Sequence, residues 1–247
     1  MTPATVLFHV SDLHFGYADQ AALDWFAAEV ARERPAQVIC TGDLTMRGNA
    51  REYAAATRWL AALAAPVSLE IGNHDVPYYW YPLARVFKPY ARFRKLNDAV
   101  GGAADLPDIS LTSLRTVAAF QWRLNLSKGR VAPASLAAAV NNLSHNRHKA
   151  LRLVTCHHPL VDADTESTGS TRGGKRALAA LARAGAAAVL SGHVHDAFDL
   201  TVDAGGRSIR IIGAGTLSRR QRGSRPSYNR LEWSEDGGLK VSVQSLD

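Results

Sequence analysis

Apolar runs of four to seven residues, rich in Val, Ile and Leu, recur at 5–10, 37–40, 67–71, 151–155 and 187–190, and each gives way to Asp, His, Gly or Asn. Between them lie alanine-rich stretches, 19–33, 49–64, 133–146 and 174–184, whose apolar positions repeat every three or four residues. The alternation predicts strand, turn, helix, strand. Strands that are apolar throughout are buried on both faces, so an α/β fold with a central sheet covered by helices follows. Ligands in such sheets collect at the carboxyl ends of the strands. From about 198 onward the pattern changes to short alternating segments, "AFDLTV", "SIRIIGAG", "NRLEW" and "LKVSVQS", broken by "DAGG" and "EDGG". These are hairpin signals for antiparallel strands. The piece from 76 to 108 reads as a helix over 83–97 followed by a loop through "GGAADLPD".

A chain of 247 residues with 47% apolar content fills one sizeable core, so a single domain over 1–247 is expected. No run of eighteen apolar residues exists, and "ATVLFHV" at the start lacks the zones of a signal peptide. The expectation is a cytoplasmic protein without a membrane span. Cys40 and Cys156 each stand at the end of an apolar run, where a small buried thiol is an ordinary core residue rather than a metal ligand or half of a disulfide. A formal charge of +7 implies a surface that attracts anions, phosphate-bearing substrates included.

Five strand ends carry unusual polar groups: "SDLH" at 11–14, "GDLTMRG" at 42–48, "GNHD" at 72–75, "CHHP" at 156–159 and "SGHVH" at 191–195. All five are expected to point at one place. Residues i and i+2 of a strand share a face, so Asp12 and His14 can grip one ion together, and His193 with His195 has the same spacing. Adding Asp43, Asn73 and His157 yields oxygen and imidazole donors with no thiolate, a set that suits manganese, iron, zinc or nickel without choosing among them. Seven donors are too many for one tetrahedral ion and about right for two divalent ions sharing a bridging carboxylate. Two aspartates against two such ions leave a net charge of roughly +2, which calls for an anionic substrate.

The set "DLH", "GDLTMRG", "GNHD", "HHP" and "GHVH", spanning 12–195, resembles the calcineurin-like metallophosphoesterase superfamily. "GDLT" and the chain's size look most like its bacterial class III cyclic nucleotide phosphodiesterases, although Met46 and Arg47 stand where many members carry acidic residues. The resemblance implies a four-layer αββα sandwich of two mixed sheets flanked by helices, with a dinuclear site at the strand ends. Carried over position by position, it implies that Asp12, His14 and His195 hold one metal, that Asn73, His157 and His193 complete the second, and that Asp43 bridges. The resemblance also implies that His74 is no ligand but faces the scissile phosphate as a catalytic residue, with Asp75 orienting it. His157 is preferred to His158 because the ligand lies two residues before the proline, here Pro159. The metals then lower the pKa of a shared water, whose hydroxide attacks phosphorus in line while His74 protonates the leaving group.

Substrate identity is less constrained. Arg47 has the spacing of a phosphate-gripping arginine in the related protein phosphatases, and a solvated start to the following helix explains it equally. The aromatic run "YYWY" at 78–81 could stack a base, and packing explains that too. The loop 162–174 precedes a helix whose N-terminus could receive a phosphate with help from Arg172. A phosphodiesterase acting on cyclic nucleotides or other small phosphodiesters is the preferred reading. A nuclease using the arginine-rich 218–230 as a nucleic-acid footprint, a phosphomonoesterase and a non-catalytic metal-binding scaffold are the alternatives. The oligomeric state is left open, a homodimer included.

Overall fold

The computed structural model describes residues 4–77, 82–118, 128–163, 165 and 171–247. In chain order the elements are β1 (Thr5–Val10), α1 (Gln20–Glu33), β2 (Gln37–Cys40), α2 (Ala50–Ala61), β3 (Val67–Leu69), α3 (Pro82–Phe87), α4 (Ala91–Val100) and β4 (Ile109–Ser113). They continue as α5 (Pro133–His145), β5 (Leu151–Thr155), α6 (Gly174–Arg183), β6 (Ala188–Ser191), β7 (Phe198–Asp203), β8 (Ser208–Gly213), β9 (Ser227–Ser234) and β10 (Gly238–Ser245). Two mixed sheets of five strands result, ordered β10-β9-β1-β2-β3 and β4-β5-β6-β8-β7.

Burial shows why the layers form. Leu7, Ile39 and Leu231 of the first sheet meet Leu151, Leu153, Leu190 and Ile212 of the second in one buried cluster between the sheets. The opposite face of the first sheet packs Phe8, Val10, Val38 and Cys40 against Leu23, Phe26 and Val30 of α1 and Ala56 and Leu60 of α2. On the far side Val154, Val189 and Ile211 pack against Leu143 of α5 and Leu178 and Leu181 of α6. Strands with apolar residues on both faces therefore lie between two layers of neighbours, as their uniform pattern implies, and each such side chain contributes about 1.5–3 kcal/mol. The four-layer arrangement expected from the resemblance is the one observed.

Local chemistry sets the element ends. Asp19 caps α1 by accepting from the amides of Ala21 and Ala22, and Asn49 caps α2 by accepting from Glu52. The helix expected over 83–97 is instead two, α3 and α4. Pro89 lies between them, and its missing N–H and ring clash forbid a continuous helix. One strand, β4, escaped the reading of the sequence. It is an edge strand whose "ISLTS" lacks a continuous apolar run, and it pairs in parallel with β5. Both expected hairpins form, but they extend different sheets: β7–β8 joins the second through β6, and β9–β10 joins the first through β1. The chain must cross from one sheet to the other between β8 and β9, and that crossing passes over the polar strand ends.

Candidate metal centre

The polar clusters lie just beyond the strands rather than on them. β1 ends at Val10 and β6 at Ser191, so Asp12, His14, His193 and His195 all occupy loops. The pleat therefore does not explain their shared direction. Asp12, His14, Asp43, His193 and His195 instead adopt left-handed backbone conformations, with φ of 57°, 45°, 51°, 72° and 65°. For residues with a Cβ this conformation is uncommon, costs about 1–3 kcal/mol each, and concentrates at functional sites. Glycine makes the turns possible next to them: a Cβ at Gly72 would lie 2.1 Å from both the amide and a carboxylate oxygen of Asp43.

Two sets of donors converge there. In the first, the Nε2 atoms of His14 and His195 are 3.2 Å apart, and Asp12 Oδ1 lies 3.7 and 3.2 Å from them. In the second, His157 Nε2 is 3.1 Å from Asn73 Oδ1 and 3.4 Å from Asp43 Oδ1, and the His193 ring stacks edge-on to that of His157, centroids 5.2 Å apart. Asp43 faces both, because its other oxygen, Oδ2, is 3.8 Å from His14 Nε2. Thus His193 and His195, though two residues apart, belong to different sets.

Each set has the character of an ion site. The Nδ1 of His157 donates to the Thr41 carbonyl at 2.8 Å, and that of His195 to the Arg220 carbonyl at 2.6 Å. A carbonyl can only accept, so each neutral ring turns its Nε2 lone pair toward the centre. Lone pairs, carboxylates and an amide oxygen thus meet with no hydrogen between them, and Asp12 Oδ1 is buried without a hydrogen-bond partner. Such convergence of acceptors fits divalent cations. Without cations, protons substitute. Burial alone would lower the His157 pKa, but the charge and hydrogen bond of Asp43 outweigh it and lift the value to about 9. His195 is raised against the same burial penalty by Asp12. Burial would raise both aspartates, yet the facing histidines hold them below the usual carboxylate range. His14 and His193 are pushed down to about 3, mainly by burial.

A sequence profile described as calcineurin-like phosphoesterase matches residues 5–197. The chain belongs to the calcineurin-like phosphoesterase family. No curated protein matches it in sequence. Among solved structures, a dimetal phosphatase from Danio rerio is similar with a TM-score of 0.68 and 14% identity, covering 99% of this chain and 100% of that one. TT1561 of Thermus thermophilus is similar with a TM-score of 0.59 and 13% identity over 98% and 99%. The same fold recurs in GAP50, the anchor in the inner membrane complex of Plasmodium, with a TM-score of 0.60 and 14% identity over 99% and 85%. Calcineurin-like dimetal phosphatases use two metal ions, and this member carries His/Asp clusters that could hold them. Among the described residues no helix is long and apolar enough to cross a membrane.

The surrounding residues differ in how far they reach this family's site. His74 does: its amide donates to Asp43 Oδ1 at 2.8 Å and its ring lies edge-on to His14. The ring is not oriented by Asp75. That carboxylate accepts from the amides of Leu44, Thr45 and Gly72 and the Thr45 hydroxyl, so it fixes the backbone just after Asp43 and just before Asn73. The Met46 carbonyl, 2.7 Å from His74 Nδ1, orients the ring instead. His158 flanks His193, ring centroids 4.5 Å apart, and its Nδ1 meets the Thr116 hydroxyl. The guanidinium groups of Arg47 and Arg172 are exposed and make no contact with the centre among the described residues. "YYWY" and residues 164 and 166–170 of the loop lie outside the described residues. One participant was missed: Arg220, whose Nη1 is 2.9 Å from His74 Nε2. It sits inside the arginine-rich stretch, where nothing local distinguishes it from its neighbours.

Proposed function

We propose that this chain is a two-metal phosphoester hydrolase acting on small phosphodiesters, cyclic nucleotides among them. The observation that carries the reading is Asp43, which turns one oxygen to the His14 side and the other to the His157 side. Asp12, His14 and His195 would hold one divalent ion, Asn73, His157 and His193 the other, and Asp43 both. Ions there supply Lewis acidity and make water nucleophilic near neutral pH. Asp75 keeps the ligand loops in place through four hydrogen bonds. His74 faces the open side, and its Nε2, which accepts from Arg220 here, takes the role of proton donor to the leaving oxygen once that contact opens and the ring takes up a proton from solvent.

The arginine-rich stretch supports a nuclease less than its composition suggests. Of its five arginines Arg230 pairs with Glu33 and Glu232 and Arg225 lies 3.7 Å from Asp247, and Tyr228 is core, so part of the stretch serves the fold rather than an open basic face. A phosphomonoesterase is the second reading, favoured by the Arg220 guanidinium, whose extra positive charge suits a dianion. The test is ester release by metal-stripped protein reloaded with manganese, on an aryl diester beside the matching monoester. Diester preference supports the proposal, and monoester preference moves it to the second reading. Silence on both with two ions bound turns it to a scaffold. His74→Ala is expected to keep both ions while turnover falls roughly 10²- to 10⁴-fold; wild-type turnover would remove His74 from the chemistry.

A further inference from the structure

We propose that Arg220 is the residue that grips the phosphoryl group of the substrate; this rests on the phosphoester reading above. Three observations place it there. Its guanidinium reaches the open side of the centre, 2.9 Å from His74 Nε2, whereas Arg47 and Arg172 point to solvent. Among the described residues no carboxylate pairs with it, unlike Arg225 and Arg230 of the same stretch. An arginine has five N–H donors, and a ring nitrogen uses only one, so the remainder are available to an anion.

The third observation is that the loop carrying Arg220 is built to hold it. The Thr216 hydroxyl donates to the Asp12 carbonyl at 2.7 Å and lies 2.7 Å from the Ser218 hydroxyl, which in turn accepts from the Arg220 amide at 3.2 Å. Thr216 and Ser218 are fully buried. The next amide, that of Arg219, donates to the Tyr17 carbonyl at 3.1 Å, and the Arg220 carbonyl receives His195. The backbone of Arg220 is therefore tied to the same loops as the ligand histidines, and only its side chain is free to move. A phosphoryl oxygen is a far better acceptor for a guanidinium than a neutral imidazole, because the hydrogen bond is assisted by charge on both partners and can be bidentate. An incoming phosphate would draw the guanidinium onto itself. The same movement uncovers His74 Nε2 beside the leaving group, so one residue serves binding and gates the ring.

The experiment measures inorganic phosphate binding to manganese-loaded protein by calorimetry, with metal content and melting temperature recorded for wild type, Arg220→Ala, Arg220→Lys and Arg219→Ala. Arg220→Ala is expected to keep two ions per chain and its melting temperature while phosphate binding weakens roughly 10- to 100-fold, the loss of a charge-assisted pair. Arg220→Lys should recover part of the affinity. Arg219→Ala removes the same charge from an exposed neighbour and should change nothing. Unaltered phosphate affinity in Arg220→Ala would overturn the proposal, as would loss of metal in that variant, which would mean that Arg220 acts only through His195. A wild type that holds two ions but neither binds phosphate nor cleaves any phosphoester would overturn the functional reading beneath it.

Discussion

Asp43 and His157 concentrate the physics of this site. A buried carboxylate facing buried imidazoles needs positive charge, which without metal is carried by a proton on His157, lifted to about 9 by Asp43 against the burial penalty. Metal must displace that proton, since only neutral imidazole ligates. The sign follows: below pH 9 the proton competes, so affinity should rise about tenfold per pH unit for each proton displaced and flatten above it. Competition against a chelator at pH 6, 7 and 8 checks this; affinity independent of pH would contradict the His157 assignment. Asp43→Asn takes the shared charge from both sets at once, and metal analysis should find well under two ions per chain.

At the level of elements, the candidate ligands are held by turns that only certain residues permit. Gly72 closes the turn after β3 against Asp43, and a methyl group there would overlap the Asp43 amide. Gly72→Ala should therefore cost at least about 1–3 kcal/mol and also reduce metal content, because the displaced atoms belong to Asp43, the proposed bridge. Asn49→Ala, which removes only the cap of α2, should cost about 1 kcal/mol and leave metal content intact. Thermal melts and metal analysis of the two variants separate loss of stability from loss of the site. The contrast also shows what local sequence conveys. Caps, proline breaks and apolar strands follow from neighbouring residues, whereas the left-handed turns at Asp12, His14, Asp43, His193 and His195 depend on the loops that enclose them.

Across the whole molecule, the site is a seam between the sheets. Asp12, His14, Asp43 and Asn73 follow strands of the first sheet, and His157, His193 and His195 follow strands of the second. Ions bound there would join the two, so loading should raise the melting temperature, with about 2.7 kcal/mol gained when free metal is 100 times its Kd. Calorimetric scans at increasing manganese read this directly. A second tie lies behind the site: the buried Glu70 accepts from Thr155 at 2.6 Å and Ser113 at 2.9 Å across the sheets, and burial raises its pKa to about 7. Protonated Glu70 is favoured in the folded state, so its contribution is complete below the unfolded value near 4.5 and is lost as pH rises through about 7. Glu70→Gln keeps the shape without the charge. Denaturant titrations should find it more stable than wild type at pH 8 by an amount on the order of 3 kcal/mol, the gap closing by pH 4.

By itself the sequence pattern determined helix-covered strands and the donors, while the pair of facing sheets was expected only from the family resemblance. Uniformly apolar strands must be covered on both faces, and polar groups at their ends must face a ligand or water, so β1, β2, β5 and β6 and the clusters after them could be read without coordinates. The tertiary structure alone decided what depends on contacts between distant residues. It put most of the candidate ligands in left-handed loops rather than on the strands, gave Asp75 to the backbone rather than to His74, and paired the edge strand β4 with β5. It also carried one arginine among several across from the second sheet to His74, 146 positions away in the chain. The physical reason is common to all four: local propensity acts over a few residues, whereas each of these outcomes is set by which loop another loop meets.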